Sequence, residues 1–226
     1  MQGYTVIDLE TTGFSPQKGD RIVEIGVVYV SPTGEIQNGW STLVNPRRDV
    51  GATRVHGITA GDVIGAPSFG ELAPYVLQSI AGRMVVAHNA AFDLRFLTHE
   101  LQSAGIPITE LPLPSICTMT WSTHFVTSPS RRLADVCHAC GIDINHAHSA
   151  YGDAMATAQL LSHYLGAARH RPPWRDALIS ADTYAWPTFT GTYPPWRGIQ
   201  REQVRARQDE GGVARHAVQH RCPGPL

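Results

Sequence analysis

The stretch VIDLETTG, residues 6–13, begins with apolar residues typical of a strand and ends in a Thr-Thr-Gly turn. Side chains at positions i and i+2 of a strand point to the same face, so we expect Asp8 and Glu10 to project together. Carboxylates at this distance repel each other unless one takes up a proton or a cation keeps both ionised. Such oxygen ligands suit Mg²⁺ or Mn²⁺. The stretch predicts a candidate cation site, although a single DxE is more often a pair of solvated acids at a strand end.

Two later segments add acidic residues and a histidine. AHNAAFD, residues 87–93, leaves an apolar strand and enters a helix, so Asp93 is expected in the first turn, where an acid also stabilises the helix dipole. HAHSAYGD, residues 146–153, contains His148 and Asp153. Five residues on a continuous helix turn two side chains about 140° apart. We therefore expect His148 in the loop before the helix, from which its imidazole can reach the site that Asp153 lines.

The remaining periodicity predicts an α/β domain. Apolar runs bounded by turn residues predict strands over residues 5–10, 21–30, 40–45, 83–89 and 115–121. Helical spacing of apolar residues predicts helices over residues 68–82, 91–105, 130–141 and 149–166. Pro74 is expected near the first turn of its helix, and Ser130 is expected to cap the helix that follows it. An antiparallel start followed by alternating strands and helices indicates a mixed sheet covered by helices.

Charge and composition divide the chain into residues 1–166 and residues 167–226. The first part has nine basic and fourteen acidic residues, and the second has nine arginines and five acidic residues. An acidic domain disfavours a nucleic-acid partner unless some of its acids hold cations. The second part contains PPWR twice and is expected to be a Pro/Trp/Arg-rich extension that packs partly on the domain and ends in a short helix and a frayed terminus.

Several classes of protein do not fit the sequence. No apolar run approaches 18 residues and the first residues lack signal-peptide features, so the expectation is a cytoplasmic protein without membrane partners. The four cysteines are then expected to be reduced thiols. Cys137 and Cys140, with His146 and His148, resemble a zinc site by spacing. Their i, i+3 placement on an amphipathic helix favours core packing instead.

The segments VIDLETTG, HNAAFD and HSAYGD, in this order, resemble the three motifs of the DEDD exonucleases, in the DEDDh branch whose fifth residue is histidine. That branch includes the proofreading epsilon subunit of bacterial replicative DNA polymerase. The resemblance covers roughly residues 4–166. It implies a ribonuclease-H-like fold with a mixed five-stranded sheet, and hydrolysis from the 3′ end with two divalent cations, Mg²⁺ or Mn²⁺. It also implies four metal ligands and His148 as general base, the ligands being Asp8, Glu10, Asp93 and Asp153.

Six further residues are candidates for substrate binding: Thr11, Thr12, Phe14, His56, Asn89 and Phe92. By resemblance, the Thr-Thr turn grips the 3′-terminal nucleotide and His56 lies beside it. The two phenylalanines offer faces on which bases stack without sequence preference. Core packing is an equal alternative for Phe92, a side chain that holds the local turn is the alternative for Asn89, and a plain loop histidine is the alternative for His56.

The expected function is a metal-dependent 3′-to-5′ exonuclease on single-stranded DNA, of the proofreading or repair type, that releases nucleoside 5′-monophosphates. The same chemistry on short RNA or RNA 3′ ends is the first alternative, because no residue is a clear reader of the 2′-hydroxyl. A non-catalytic nucleic-acid-binding or polymerase-accessory module is the second. A polymerase subunit as partner, or self-association through the extension, remains open.

Overall fold

The computed structural model describes residues 2–108, 112–144, 149–169 and 171–209. These ranges contain strands β1 (Tyr4–Thr11), β2 (Ile22–Val30), β3 (Ile36–Leu43), β4 (Met84–Ala87) and β5 (Ser115–Cys117). The strands form one sheet in the order β3-β2-β1-β4-β5. β1, β2 and β3 pair antiparallel, whereas β4 pairs parallel with both β1 and β5. The mixed five-stranded sheet predicted from the sequence is confirmed.

Helices cover both faces of this sheet. They are α1 (Thr53–His56), α2 (Ala60–Val63), α3 (Phe69–Ile80), α4 (Ala90–Ser103), α5 (Thr118–Phe125), α6 (Leu133–Ala139), α7 (Ala150–Ala167), α8 (Arg175–Asp182) and α9 (Arg201–Asp209). α3 and α4 pack on one face, and α6 and α7 pack on the other. Side chains of β1 point alternately to the two helical layers. Ile7 and Leu9 face α3 and α4, whereas Tyr4 and Val6 face α6 and α7.

The predicted strand over residues 115–121 is wrong in its second half, because β5 ends at Cys117 and a helix begins at Thr118. Thr118 is fully buried, and its hydroxyl lies 2.9 Å from Nδ1 of His88, in the loop after β4. Trp121 lies 5.5 Å from the ring of Trp174, which belongs to the C-terminal part of the chain. These long-range contacts outweigh the local strand preference of Thr, Met and Trp.

Two local predictions on helices are also wrong. Pro74 is the sixth residue of α3 rather than a first-turn residue, because the helix begins at Phe69 after a capping box between Ser68 and Glu71. The carbonyl of Gly70 that Pro74 leaves without an intrahelical donor belongs to an exposed residue, which limits the cost of the proline. Ser130 does not cap α6, whose N-cap is Arg132.

The C-terminal extension, residues 167–209 as described, contacts both faces of the domain. Trp174 is 4% exposed and packs with Tyr4 and α7, whereas Trp196 stands edge-on to Trp40, with ring centroids 5.2 Å apart. The backbone N–H of Leu43 donates to the carbonyl of Ile199 at 2.8 Å, so the extension pairs with the end of the edge strand β3. These contacts hold the start of α9 beside β2.

No helix among the described residues combines the length and the apolar character needed to cross a membrane.

Candidate active site

Three carboxylates meet at the carboxyl end of β1. Asp8 and Glu10 lie on one face of the strand, as their spacing predicts, and Asp153 reaches them from the first turn of α7. One oxygen of each carboxylate lies within 4.8 Å of the oxygens of the other two. All three residues are half-buried. The structure therefore brings together acids from residues 8–10 and residue 153, as the sequence predicts.

Asp93 completes the acidic group from the opposite helical layer. β1 and β4 are parallel, so their carboxyl ends share one edge of the sheet, and α4 begins three residues after β4 ends. Asp93 lies in the first turn of α4 and is 3% exposed. Its negative charge raises the pKa of Asp8, so the two carboxylates are electrostatic neighbours. Asp93 stands outside the three-oxygen set but inside the same electrostatic cluster.

The acids of this cluster are destabilised as anions. Burial raises the pKa of Asp8 well above its usual range, and the charges of Asp93 and Asp153 raise it further. Burial also raises the pKa of Glu10 to about 8, with a contribution from Glu24. Asp93 rises to a pKa of about 8 through burial, against backbone N–H groups that stabilise its charged form. Carboxylates with such raised pKa values mark a site that favours a proton or a cation.

The general-base prediction falls on His148, which lies outside the described residues, as does His146 of the zinc alternative. The helix beyond it is described: α7 begins at Ala150, and the hydroxyl of its N-cap Ser149 accepts a hydrogen bond from the N–H of Gly152 at 3.2 Å. The role of His148 stays a prediction.

Sequence reasoning missed Glu24, the acid that lies directly opposite Glu10 across the β1–β2 pair. Its carboxylate is 3% exposed, accepts a hydrogen bond from the backbone N–H of Ala150 at 3.0 Å, and forms an ion pair with Arg201. An acid within the apolar run RIVEIGVVYV was the signal that could have identified it, because charged residues are almost never fully buried without a partner.

A glycine allows α7 to lie against the sheet next to these acids. Gly26 is opposite Asp8 in the β1–β2 pair, and a Cβ atom built on it would collide with the carbonyl oxygen of Ala150. The start of α7 therefore contacts the backbone of β2 directly. This close approach, together with the Glu24 bond, fixes the first turn that carries Asp153.

The hydroxyl groups of the Thr-Thr turn bond to neighbouring protein groups. The hydroxyl of Thr11 donates to the carbonyl of Gly13 at 2.6 Å. The hydroxyl of Thr12 accepts from the backbone N–H of Arg21 at 3.0 Å and lies 3.3 Å from a carboxylate oxygen of Asp20. The backbone N–H of Thr12 donates to the carbonyl of Arg21. These bonds shape the turn, and contact of either threonine with a nucleotide stays a prediction.

The two phenylalanines differ in exposure. Phe14 is 80% exposed, and the guanidinium of Arg95 donates to its carbonyl at 3.0 Å. Phe92 is half-buried and packs against Phe96, with 5.1 Å between the ring centroids. At least one side of its ring therefore packs in the core. Arg95 also lies 5.6 Å from the Phe92 ring centroid. Phe14 and Arg95 therefore form an exposed aromatic and basic surface, and Arg95 lies two residues after Asp93 in the sequence.

Asn89 and His56 have distinct local environments. Asn89 is exposed, precedes α4 with φ 76° and ψ 47°, and makes no side-chain capping bond. That left-handed conformation is one that Asn tolerates better than most residues. His56 is 2% exposed and its Nδ1 accepts from the N–H of Ile58 at 3.0 Å. Burial and the charge of Arg201 lower the pKa of His56. Substrate contact by either side chain stays a prediction.

The cysteines of the zinc alternative pack as the amphipathic pattern predicts. Cys137 is fully buried on α6 within the cluster against α7, and Cys140 packs on the same cluster. Burial raises the pKa of the Cys137 thiol to about 12, which disfavours a thiolate ligand. Among the described residues, the group that meets the geometry of a metal site is the carboxylate set.

Comparison with known proteins agrees with this geometry. The family model described as Exonuclease matches residues 5–161. The chain is 35% identical over 161 residues to DNA polymerase III PolC-type of Clostridium perfringens, covering 70% of this chain and 11% of that protein. It is 31% identical over 168 residues to DNA polymerase III subunit epsilon of Rickettsia felis, covering 71% of this chain and 73% of that protein.

The fold also matches that of solved nucleases. The nuclease domain of 3′hExo, a DEDDh family member bound to rAMP, superposes with a TM-score of 0.62 at 18% identity, covering 73% of this chain and 92% of that one. This likeness confirms the ribonuclease-H-like fold expected from the sequence. The chain spans only 11% to 24% of the length of the first three curated relatives, so those relatives contain much that has no counterpart here.

Proposed function

The chain belongs to the exonuclease family, in its DEDDh branch, and we propose that it hydrolyses single-stranded DNA from the 3′ end and releases nucleoside 5′-monophosphates. The observation that carries the proposal is the set of three carboxylates, Asp8, Glu10 and Asp153, whose oxygens lie within 4.8 Å of one another beside the buried Asp93. Binding of nucleic acid alone does not require such a set, because anions repel phosphate.

The carboxylate set fits a pair of divalent cations. Hard oxygen donors are the ligands that Mg²⁺ and Mn²⁺ prefer. The pKa values of Glu10 and Asp93 are raised by burial and, to a lesser extent, by neighbouring carboxylates, so a cation would stabilise the charged forms that the site disfavours. In our proposal Asp8, Glu10, Asp93 and Asp153 hold the ions. When bound, two such ions stabilise the charge that develops on the attacking and leaving oxygens of an in-line displacement.

The proposed reaction is hydrolysis of the terminal phosphodiester bond. Water attacks the phosphorus atom, the bond from phosphorus to the 3′ oxygen breaks, and the shortened strand keeps a 3′-hydroxyl. His148 takes the proton of the attacking water, because an imidazole with a pKa of about 6.5 is a suitable general base near neutral pH. The protein residues thereby position the terminal nucleotide, hold the ions and remove the proton.

Single-stranded DNA is the proposed substrate for two reasons. Phe14 is 80% exposed beside Arg95, which offers an aromatic face and a cation to an unpaired base and its phosphate. Two relatives, at 35% and 31% identity, carry DNA polymerase III names. Association with a DNA polymerase is proposed on the second ground. Short RNA remains the alternative substrate that the assay below separates.

The test is digestion of matched DNA and RNA oligonucleotides, labelled at the 5′ end or the 3′ end, with Mg²⁺ or with EDTA. We expect a ladder of shortened 5′-labelled DNA, immediate release of labelled mononucleotide from the 3′-labelled strand, and no cleavage in EDTA. The variant Asp8→Asn, purified in parallel, controls for contaminating nucleases. Cleavage that persists in EDTA, or internal cuts, would contradict the proposal. Faster digestion of RNA than of DNA would make RNA the substrate.

A further inference from the structure

Arg201, the first residue of α9, reaches from the C-terminal extension into the edge of the acidic site. It lies outside residues 5–161, the range matched by the family model. Its side chain is 6% exposed. Nε lies 3.2 Å from Oε1 of Glu24, Nη2 pairs with Oε2 of the same carboxylate, and Nη1 donates to the carbonyl of His56 at 2.6 Å. The guanidinium therefore joins β2, the end of α1 and the extension.

Glu24 links this guanidinium to α7, the helix that carries Asp153. The residue is opposite Glu10 in the β1–β2 pair, so both side chains project from the same face of the sheet. The oxygen that pairs with Nη2 of Arg201 also accepts the backbone N–H of Ala150, the first residue of α7. A chain of contacts thus runs from Arg201 through Glu24 to the turn that carries Asp153.

The guanidinium gives Glu24 a fixed direction. A planar arginine fork holds both oxygens of a carboxylate at once, which a single ammonium does not do. With both oxygens engaged, Glu24 faces the start of α7 and not the neighbouring cation site. Without the fork, Glu24 would be an uncompensated carboxylate beside Glu10. Repulsion between the two would turn Glu24 away from the N–H of Ala150 and release the turn that carries Asp153.

The position of Arg201 does not depend on its own charge alone. The carbonyl of Ile199 accepts hydrogen bonds from the N–H of Leu43 at 2.8 Å and from the hydroxyl of Thr42 at 3.3 Å. Val204, on the next turn of α9, packs against the cluster that includes Val23. The backbone on both sides of Arg201 is therefore held by other contacts, so a neutral side chain at position 201 can leave the extension docked.

We propose that Arg201 is a positioning residue of the active site: it holds Glu24 against the first turn of α7 and outside the set of cation ligands. The proposal rests on the cation site of the proposed function. It assigns the C-terminal extension a part in completing that site, and it predicts that the effect of losing Arg201 passes through the charge of Glu24.

The experiment compares wild type with Arg201→Met, with Arg201→Met/Glu24→Gln, and with Arg205→Met, which removes an exposed arginine one turn later. Mn²⁺ binding to the protein alone is measured by electron paramagnetic resonance of free Mn²⁺, and folding is checked by circular dichroism. Arg201→Met is expected to bind Mn²⁺ at least about tenfold more weakly, the scale of losses when a group that orients metal ligands is removed. The double variant is expected to regain most of the affinity, because the Gln oxygen still accepts the N–H of Ala150 without a free charge.

Three results would overturn the proposal: unchanged Mn²⁺ affinity in Arg201→Met, a loss that Glu24→Gln does not restore, or an equal loss in Arg205→Met. If Arg201→Met does not fold, Arg201→Lys takes its place. Its Mn²⁺ affinity is expected to lie between that of wild type and the roughly tenfold loss given for Arg201→Met. Mn²⁺ binding needs no substrate, so the two proposals can fail separately. If the wild type lacks nuclease activity but Arg201→Met still shows a loss of Mn²⁺ affinity that Glu24→Gln restores, the proposed function is refuted and this inference stands.

Discussion

Two kinds of acid lie side by side on β1 and β2: Glu24 forms a direct ion pair with an arginine, whereas the carboxylates of the candidate site raise one another's pKa. Glu24 receives a guanidinium and a backbone N–H. Asp8, next to it on the same sheet face, has its pKa raised by burial and then by four neighbouring carboxylates. Stability explains the first arrangement, since a buried carboxylate without a partner is costly. The second makes physical sense when the compensating charge comes from a cation in solution.

A third buried acid, Glu100, extends the comparison to a part of the fold away from the candidate active site. Glu100 of α4 is 1% exposed and accepts both Nε and Nη2 of Arg21, at 2.7 Å and 2.6 Å, as well as the N–H of Ile22. Like Glu24, it is paired with an arginine distant in sequence. Compensation by arginine therefore distinguishes structural acids from the candidate catalytic ones, and each prediction below tests that distinction.

The largest expected effect is that of Asp153→Asn on catalysis. Loss of one ligand removes several kcal/mol of transition-state stabilisation, so we expect turnover to fall at least about 10⁴-fold. The melting temperature in EDTA should stay constant or rise, because a mutually repelling charge is lost. Single-turnover digestion of labelled DNA measures the first effect and thermal unfolding the second. Asp143→Asn, on an exposed acid, is the matched control.

A stability loss in Asp153→Asn comparable to that from breaking the Glu24 pair would contradict the distinction. Activity within tenfold of wild type would remove Asp153 from the ligand set.

His148→Ala is expected to lower turnover by about 10²- to 10⁴-fold, the usual contribution of a general base, while Mn²⁺ binding largely persists. The reason is that, in the proposed mechanism, the imidazole moves a proton and the four carboxylates hold the ions. Rates are compared at saturating Mg²⁺, with His138→Ala, an exposed histidine on α6, as control. Full activity would exclude His148 from the mechanism, and loss of Mn²⁺ binding would make it a ligand.

The sequence predicts which acids of the site lie together. It does not predict which arginines pair with the other buried acids, Glu24 and Glu100. The spacing of two in DLE fixes Asp8 and Glu10 on one face of β1, and Ser149 before an apolar helix fixes the start of α7. Both signals are local. Arg201 and Glu24 are 177 residues apart, and only the docking of the extension beside β3 brings them together. The helix that replaces the second half of the predicted last strand likewise has a long-range contact, between Trp121 and Trp174.

Arg21→Ala breaks the structural pair and should affect stability rather than chemistry. Removing the partner of a buried carboxylate costs about 3–5 kcal/mol, but 35% of the Arg21 side chain is exposed and water can replace part of the interaction, so we expect about 1–3 kcal/mol. Urea unfolding measures the loss, and turnover of the folded variant should be unchanged. Arg54→Ala, on an exposed arginine of α1, is the control. A loss of turnover without a loss of stability would place Arg21 in the site.

The smallest expected effect is the pH dependence of stability in the metal-free protein. The pKa of Glu10 is raised to about 8 in the fold from 4.5, and that of Asp93 to about 8 from 3.8. Between these limits the folded state binds more protons than the unfolded state, so the free energy of unfolding falls as pH rises from about 4.5 to 8. Because Glu10 is half-buried and water screens part of its charge, we expect the melting temperature in EDTA to fall by only a few degrees over this range, at about 2–4 °C per kcal/mol.

Saturating Mg²⁺ should weaken or reverse this trend, because a cation stabilises the ionised carboxylates that the metal-free fold disfavours. Glu10→Gln should flatten the profile in EDTA, whereas Glu71→Gln should not, since Glu71 lies on exposed surface in the capping box of α3 and its pKa is lowered. A melting temperature in EDTA that rises over this pH range would mean that the acids of the site are compensated within the chain, as Glu24 is. That result would contradict the distinction between Glu24 and the acids of the site.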